Sequence, residues 1–396
     1  MQKNSILFLT NAYPDFESSY HGIFIKKMAV LLKDEGYKIS VVTPKIYKGS
    51  LYFENQNGIK VYRFPFFSGN RLLIEYESVP YLKMVLYYIT GFFLTLYVFI
   101  KHQCQLIHVH WAIPTGLIGV FIGALLRRPL FVTVHGSDFR MAMVGSALLK
   151  GIFLYVCKKA KHITCVSEVQ KREIEKLGIK GEKISIFPMG VDQAFLEAGR
   201  KRENKLNNRP FKIFSNRNLL PIYNVSLLIR AIPMVIKEEP KVRFLIAGDG
   251  PERKNLEKEA MDLNVNKSVQ FLGRIPHEEM SNLLAEADIY ISTSLHDGTS
   301  VSLLEAMAAG AFPIVTNISS NLEWITDNKN GFLFPIDDEG FLAKRIIDAI
   351  GNQALLKESR VKNINIIEEN ALWSENIKRV KEIYMDLLDS KIWKMA

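Results

Sequence analysis

The sequence is poor in cysteine, and the three it has, Cys104, Cys157 and Cys165, form neither a Cys-x-x-Cys pair nor an even-numbered set. That excludes a disulfide framework and fits a reducing compartment, with the thiols as small core residues. There is no GxxxxGK[ST] run, and no GxGxxG stands between a strand and a helix, so the familiar phosphate loops of ATPases and dehydrogenases are missing. Zinc-finger spacings and an interleaved aromatic and basic signature are absent too, so no nucleic acid partner is expected. No secretory signal precedes the first apolar run, and the expected location is the cytoplasm.

What is present is globular and large. Hydrophobic residues make up 48% and charged residues 23% of 396 positions, more chain than one core usually organises. The net charge of +10 is uneven: residues 1–200 hold 25 Lys and Arg against 14 Asp and Glu, and the remainder holds 26 against 27. A basic first half suits anionic lipid headgroups or a phosphorylated substrate, although a solvated basic face would read the same way.

Short apolar runs alternate with helical patterns. SILFLT, KISVVTP, LIHVHW, LFVTVHG, HITCVS and KISIFP are strand candidates in the first half. KIFSNRN, VRFLIAGDG, VQFLGRI, IYIST and FPIVTN are candidates in the second. Near-continuous Val, Ile, Leu and Phe content marks strands buried on both faces, as in parallel sheets. Helical stretches at 23–35, 225–237, 253–264 and 277–286 separate them, and repeated βα units imply two doubly wound α/β domains. Residues 197–210, EAGRKRENKLNNRP, have linker composition, so the domains are expected at 1–196 and 211–374. The active site is expected in the cleft between the sheets, at their strand C-terminal ends. Residues 81–100 are nearly uncharged and long enough to span a membrane. Their uncharged core is short for a span and runs straight into another strand, so a buried or membrane-facing helix is expected.

The strongest chemical signal is 297–310, DGTSVSLLEAMAAG, which follows a strand and opens a helix. Backbone N–H groups at a helix N-terminus form a ready phosphate site, with Gly298, Thr299 and Ser300 at the turn and Asp297 at its mouth. Glu305, inside an apolar helix, would be costly to bury unpaired and could accept hydrogen bonds from sugar hydroxyls. Arg217, just after a strand, can donate a planar fork to a phosphate. Gly248 and Gly250 in GDGP make a strand-to-loop turn, and Gly22 in YHGIF would let a phosphate or sugar approach the backbone. His135 in TVHGSDF ends a strand ahead of Asp138, where a histidine can donate a hydrogen bond. His108 and His110 alternate in HVHW and are expected on opposite strand faces, against a metal pair. His110 reads as a packed core histidine or an acceptor-side group.

These elements resemble glycosyltransferase family 4, retaining enzymes of the GT-B fold, along nearly the whole chain. DGTSVSLLE is similar to that family's E-x7-E signature, with Asp297 in the first position and Glu305 in the second. The resemblance implies that Glu305 holds the donor's ribose and Asp297 contacts the transferred sugar. It implies that Arg217 meets the donor diphosphate, with Tyr223 standing where the family usually has Lys. GDGP and FLGRIP, with Arg274 and Ile275, would border the nucleotide, and Glu323 after Ser319 and Ser320 matches a frequent family Glu. HGSD resembles the family's HGxD element, in which His135 would reach toward the donor sugar, while Asp138 is expected with His110 on the acceptor side. The helix at about 375–396 would pack back on the first domain and could lend Lys391, Trp393 and Lys394 to an interface. No Asp-x-Asp motif is present, so neither metal nor cofactor is expected, and Arg217 with a helix N-terminus would meet the diphosphate charge.

The resemblance implies transfer of a hexose-type sugar from a nucleoside-diphosphate sugar, with retention. The acceptor would be a lipid-linked saccharide or glycolipid used in cell-surface polysaccharide assembly. Lys150, Lys158, Lys159 and Lys161 beside GIFLYVC would dock the enzyme peripherally on the anionic inner face of a membrane. Two other readings stay open: a GT-B nucleotide-sugar epimerase, needing donor alone, and a non-catalytic sugar-nucleotide-binding subunit, motivated by Tyr223.

Overall fold

The computed structural model describes residues 4–16, 19, 21–71, 73, 76, 80–202 and 209–389. The chain divides into two compact units, Met1–Phe187 with Ile377–Ala396, and Pro188–Asn376.

The first unit is built on β1 (Ser5–Thr10), β2 (Lys38–Lys45), β3 (Phe53–Gln56), β4 (Ile59–Pro65), β5 (Leu106–His110), β6 (Leu130–Val134), β7 (His162–Cys165) and β8 (Ile184–Ile186). They lie in the order β3-β4-β2-β1-β5-β6-β7-β8, parallel except where β3 meets β4. β1, β5 and β6 are buried along their whole lengths, which is why their sequences read as unbroken apolar runs. The β3–β4 hairpin is an addition to the expected strands. Its turn, Asn57-Gly58, has φ of 52° and 87°, the left-handed pair that a two-residue hairpin needs.

The second unit carries β9 (Lys212–Ser215), β10 (Arg243–Ala247), β11 (Val269–Gly273), β12 (Ile289–Ser292), β13 (Phe312–Thr316) and β14 (Phe332–Phe334). Their order is β11-β10-β9-β12-β13-β14, parallel throughout. β14 also goes beyond the expected strands, its three residues being too few to show a pattern. The chain winds outward from β9, then returns to its other side with β12. The strand order reverses between them, which opens a crevice beyond their C-terminal ends. In the first unit the same reversal falls between β1 and β5.

The segment read as a linker is partly structured. Helix Gln193–Lys201 begins before it and buries Phe195, Leu196 and Gly199 in the second unit. A Cβ on Gly199 would lie 2.2 Å from the Ala308 carbonyl oxygen. The unit boundary accordingly falls at Phe187, ahead of the 196 expected. Residues 203–208 lie outside the described residues, but Arg202 and Arg209 on either side of them both reach Asp288, a fully buried carboxylate. Two of the cations that make the stretch look like a solvated linker, Arg202 and Arg209, pair with that acid.

Helix Trp373–Asp389 starts in the second unit, and its later turns belong to the first. There the buried Tyr384 hydroxyl lies 2.7 Å from His108 Nδ1. Lys391, Trp393 and Lys394 lie outside the described residues. Helix Tyr81–Lys101 buries Tyr87, Gly91, Thr95, Val98 and Phe99. Gly91 admits the Phe64 ring and Ile118, whose Cδ1 would stand 2.8 Å from a Cβ there. A helix with one face embedded in protein is not a lipid-surrounded span.

Candidate active site

In the second unit the chemistry collects at the reversal between β9 and β12. Arg217 leaves the end of β9 and is almost fully buried. Its Nη1 donates to Ser300 Oγ at 2.8 Å and its Nη2 to Asp297 Oδ2 at 2.5 Å. Its guanidinium carbon stands 4.2 Å from the centre of the Tyr223 ring, a stacking contact worth about 2 kcal/mol when desolvated. Tyr223 therefore meets Arg217 through its ring face. Burial works to lower the pKa of Arg217, and Asp297 with Tyr290 and Tyr223 outweighs it, so the net shift is upward. Arg217 Nε is buried with no hydrogen-bond partner. An orphaned donor of this kind costs about 1–3 kcal/mol, and a phosphate oxygen would satisfy it.

The loop from Asp297 is shaped for the helix that follows. Asp297 Oδ1 accepts from Gly298 N at 2.9 Å, and Ser300 caps helix Val301–Ala308 by accepting from Leu303 N at 3.3 Å. Thr299 is half-buried between them. Glu305 sits in the second turn, buried to 6% exposure. Burial pushes its carboxyl up to about 7, opposed by His277 and reinforced by Asp192. His277 Nδ1 lies 3.8 Å from Glu305 Oε1, and its Nε2 lies 3.4 Å from Asp192 Oδ2. Neither His277 nor Asp192 stands out in the sequence, because both come from other elements, 85 positions apart.

Gly248 and Gly250 brace Arg217 from behind. Gly248 has φ 119°, and a Cβ on it would lie 2.2 Å from the Arg217 carbonyl oxygen. One on Gly250 would lie 2.3 Å from that of Leu219. Their glycine requirement is thus met by backbone packing of the loop that presents Arg217. Gly248 N donates to Gly273 O at 2.7 Å, which ties in the end of β11. Beyond it Arg274 is exposed and Ile275 half-buried.

The first unit holds a separate group at the ends of β5 and β6. His110 Nδ1 and His135 Nε2 are 3.1 Å apart, while His110 Nε2 and His135 Nδ1 are buried without partners. Burial lowers His135 to about 3 and carries His108 and His110 well below the usual imidazole range. All three are neutral hydrogen-bonding groups near neutrality. Asp138 accepts from Ala112 N at 2.7 Å and His135 N at 3.0 Å, which fixes the loop carrying His135. Gly22, at φ 68°, starts the helix that sets Phe24 against Trp111 and His135. A Cβ on Gly22 would strike the Ala12 carbonyl oxygen at 2.2 Å.

The expected opposition of His108 and His110 is overturned. Their rings stack at 4.2 Å on one face of β5, because the pleat repeats every two residues and positions i and i+2 face the same way. They still do not form a free ligand pair. His108 is engaged at both nitrogens, by Tyr384 and by Thr133 Oγ1 at 2.8 Å.

Two doubly wound α/β units, one with a buried arginine fork and a carboxylate in an N-capped helix at its strand reversal, define a GT-B glycosyltransferase. Residues 22–195 match the model of Glycosyltransferase Family 4, and residues 198–368 match that of Glycosyl transferases group 1. The chain belongs to glycosyltransferase family 4 and is a transferase. It is 27% identical over 338 residues to the alpha-monoglucosyldiacylglycerol synthase of Streptococcus pneumoniae, covering 80% of this chain and 75% of that one. It is 27% identical over 312 residues to the UDP-Gal:alpha-D-GlcNAc-diphosphoundecaprenol alpha-1,3-galactosyltransferase of Escherichia coli, covering 74% and 78%. The crystal structure of Anabaena Alr3699/HepE in complex with UDP shares the fold, with a TM-score of 0.75 at 17% identity over 96% of this chain and all of that one.

Proposed function

We propose that the protein transfers a hexose-type sugar, with retention, from a nucleoside-diphosphate sugar to a lipid-linked saccharide or glycolipid. The setting would be cell-surface polysaccharide assembly at the inner face of a membrane. The observation that carries the donor half is the buried Arg217 fork with its orphaned Nε–H at the strand reversal. Similarity to enzymes named for a diacylglycerol glycolipid and a diphosphoundecaprenol saccharide supports the acceptor half.

In this reading the donor diphosphate lies at the N-terminus of helix Val301–Ala308. Arg217 and the helix N–H groups meet the charge that develops on the leaving phosphate, and no metal or cofactor has a role. Glu305 accepts hydrogen bonds from the donor's ribose, and Asp297 both holds the fork and borders the sugar. The test is nucleoside-diphosphate release from a panel of nucleotide sugars, beginning with UDP-hexoses, with and without a membrane lipid extract. Release from one donor that rises sharply with lipid is expected. Donor binding without release under any condition would move the reading to a non-catalytic binding subunit, and turnover of donor alone to a new sugar nucleotide would mean an epimerase.

Glu305 also sets a pH dependence. It accepts hydrogen bonds best when ionised, so kcat/KM for the donor is expected to rise with pH through about 7. His277 lowers this pKa, so His277→Gln should move the rise to higher pH. A profile left in place by His277→Gln would show that another group controls it.

A further inference from the structure

Helix Tyr81–Lys101 turns an apolar stripe outward. Leu82, Val85, Ile89, Phe93, Tyr97 and Ile100 recur at three- and four-residue intervals, and every exposed side chain from 82 to 100 is apolar or tyrosine. Leu82 is 90% and Phe93 65% exposed. A helix on a water-facing surface normally carries polar residues there, and an apolar patch of this extent marks a partner or a membrane.

Neighbouring helices extend the surface. Thr115–Leu125 packs beside the first through Ile118 at Gly91, and Ala147–Lys159 packs on that one through Val156 at Gly116. They add exposed Phe121, Leu125, Leu148 and Tyr155. None of the three helices contains an acidic residue. Each connects parallel strands, so all three run the same way, and cations gather where they end: Lys101, Arg127, Arg128, Lys158 and Lys159. At the two ends of the stripe lysine pairs with tyrosine, Lys101 Nζ with Tyr97 at 2.9 Å and Lys83 Nζ with Tyr76 at 3.2 Å. Aromatic and basic residues bracketing an apolar band suit the water–lipid boundary. The GIFLYVC run expected to dock is a poorer candidate, since Phe153, Val156 and Cys157 point into the core.

We propose that this helix layer is the docking surface for an anionic lipid bilayer, with helix Tyr81–Lys101 lying in the plane of the interface. The absence of acidic residues, together with the row of cations, favours lipid over a second copy of the chain. The surface's role in catalysis rests on the proposed lipid-linked acceptor, but its binding is measured separately.

The experiment is co-sedimentation of the full chain with phosphatidylcholine vesicles, with and without phosphatidylglycerol, comparing wild type with Leu82→Gln/Phe93→Gln. Both substituted side chains are exposed, and circular dichroism checks that the fold is kept. Wild type is expected to bind the phosphatidylglycerol vesicles, and the double variant to bind about tenfold or more weakly at any salt. Lys158→Gln/Lys159→Gln should weaken binding at low salt and matter less at high salt. The proposal is overturned if the stripe variant binds like wild type or if wild type ignores the vesicles. It is likewise overturned if wild type sediments as a dimer that the stripe variant disperses. Vesicle binding that follows the stripe while no donor is turned over would sink the transfer reading and support the docking surface.

Discussion

Arg217→Ala is expected to lower kcat/KM by about 10²–10³, the usual effect of removing one preorganised donor from developing negative charge. Arg217→Lys should recover little of it. The fork makes two directed contacts, to Ser300 and Asp297, with the Tyr223 ring beneath it. A lysine ammonium restores charge without that planar geometry. The fold should survive in both variants, because Asp297 retains some solvent and Ser300 keeps its capping bond. Steady-state kinetics with the donor identified by the release assay, beside thermal melts, decide the matter. Full activity in Arg217→Lys would reduce the residue to a point charge, and full activity in Arg217→Ala would remove it from the site.

Asp288→Ala is expected to cost about 3–5 kcal/mol of stability, the range for removing one partner of a buried ion pair. Asp288 Oδ1 accepts from Arg202 Nη2 at 2.8 Å and Arg209 Nη2 at 2.6 Å, while Oδ2 accepts from Arg209 Nη1 at 2.8 Å and Lys212 N at 2.9 Å. Burial already lowers Arg202 to about 10, so without the carboxylate it keeps the desolvation cost and loses the compensation. Urea unfolding measures the loss. Adding Arg202→Met should restore part of it, since the stranded charge is then gone. A loss below about 1 kcal/mol would mean that the cluster behaves as a surface pair does.

The eleven strands expected from apolar runs are all present, and those buried on both faces leave no alternation to misread. The hairpin at Asn57-Gly58 carried a turn signal in plain view. It was hidden because β3 is a half-exposed edge strand, FENQ, without an apolar run. The division at Phe187 lies ahead of residue 196 because helix Gln193–Lys201 buries Phe195 and Leu196 in the second unit, and composition does not separate a solvated arginine from one paired to a buried aspartate 79 positions away.

Of the site, the sequence by itself determined the residue types and where along the chain they stand. A carboxylate eight positions after another, an arginine after a strand and glycines at strand ends are local facts, and the local physics of helix N-termini and turns is enough to read them. Only the tertiary structure decided what each one meets. It set Tyr223 under Arg217, left Nε without an acceptor, and brought His277 and Asp192 to Glu305. The stacking of His108 on His110 follows from the two-residue pleat alone, but only the fold shows which face of helix Tyr81–Lys101 is covered. Apart from the Tyr223 ring, which lies close to Arg217 in sequence, the tertiary contacts join segments far apart in the chain. They depend on strand order and helix rotation, which a one-dimensional pattern of apolar and polar residues does not encode.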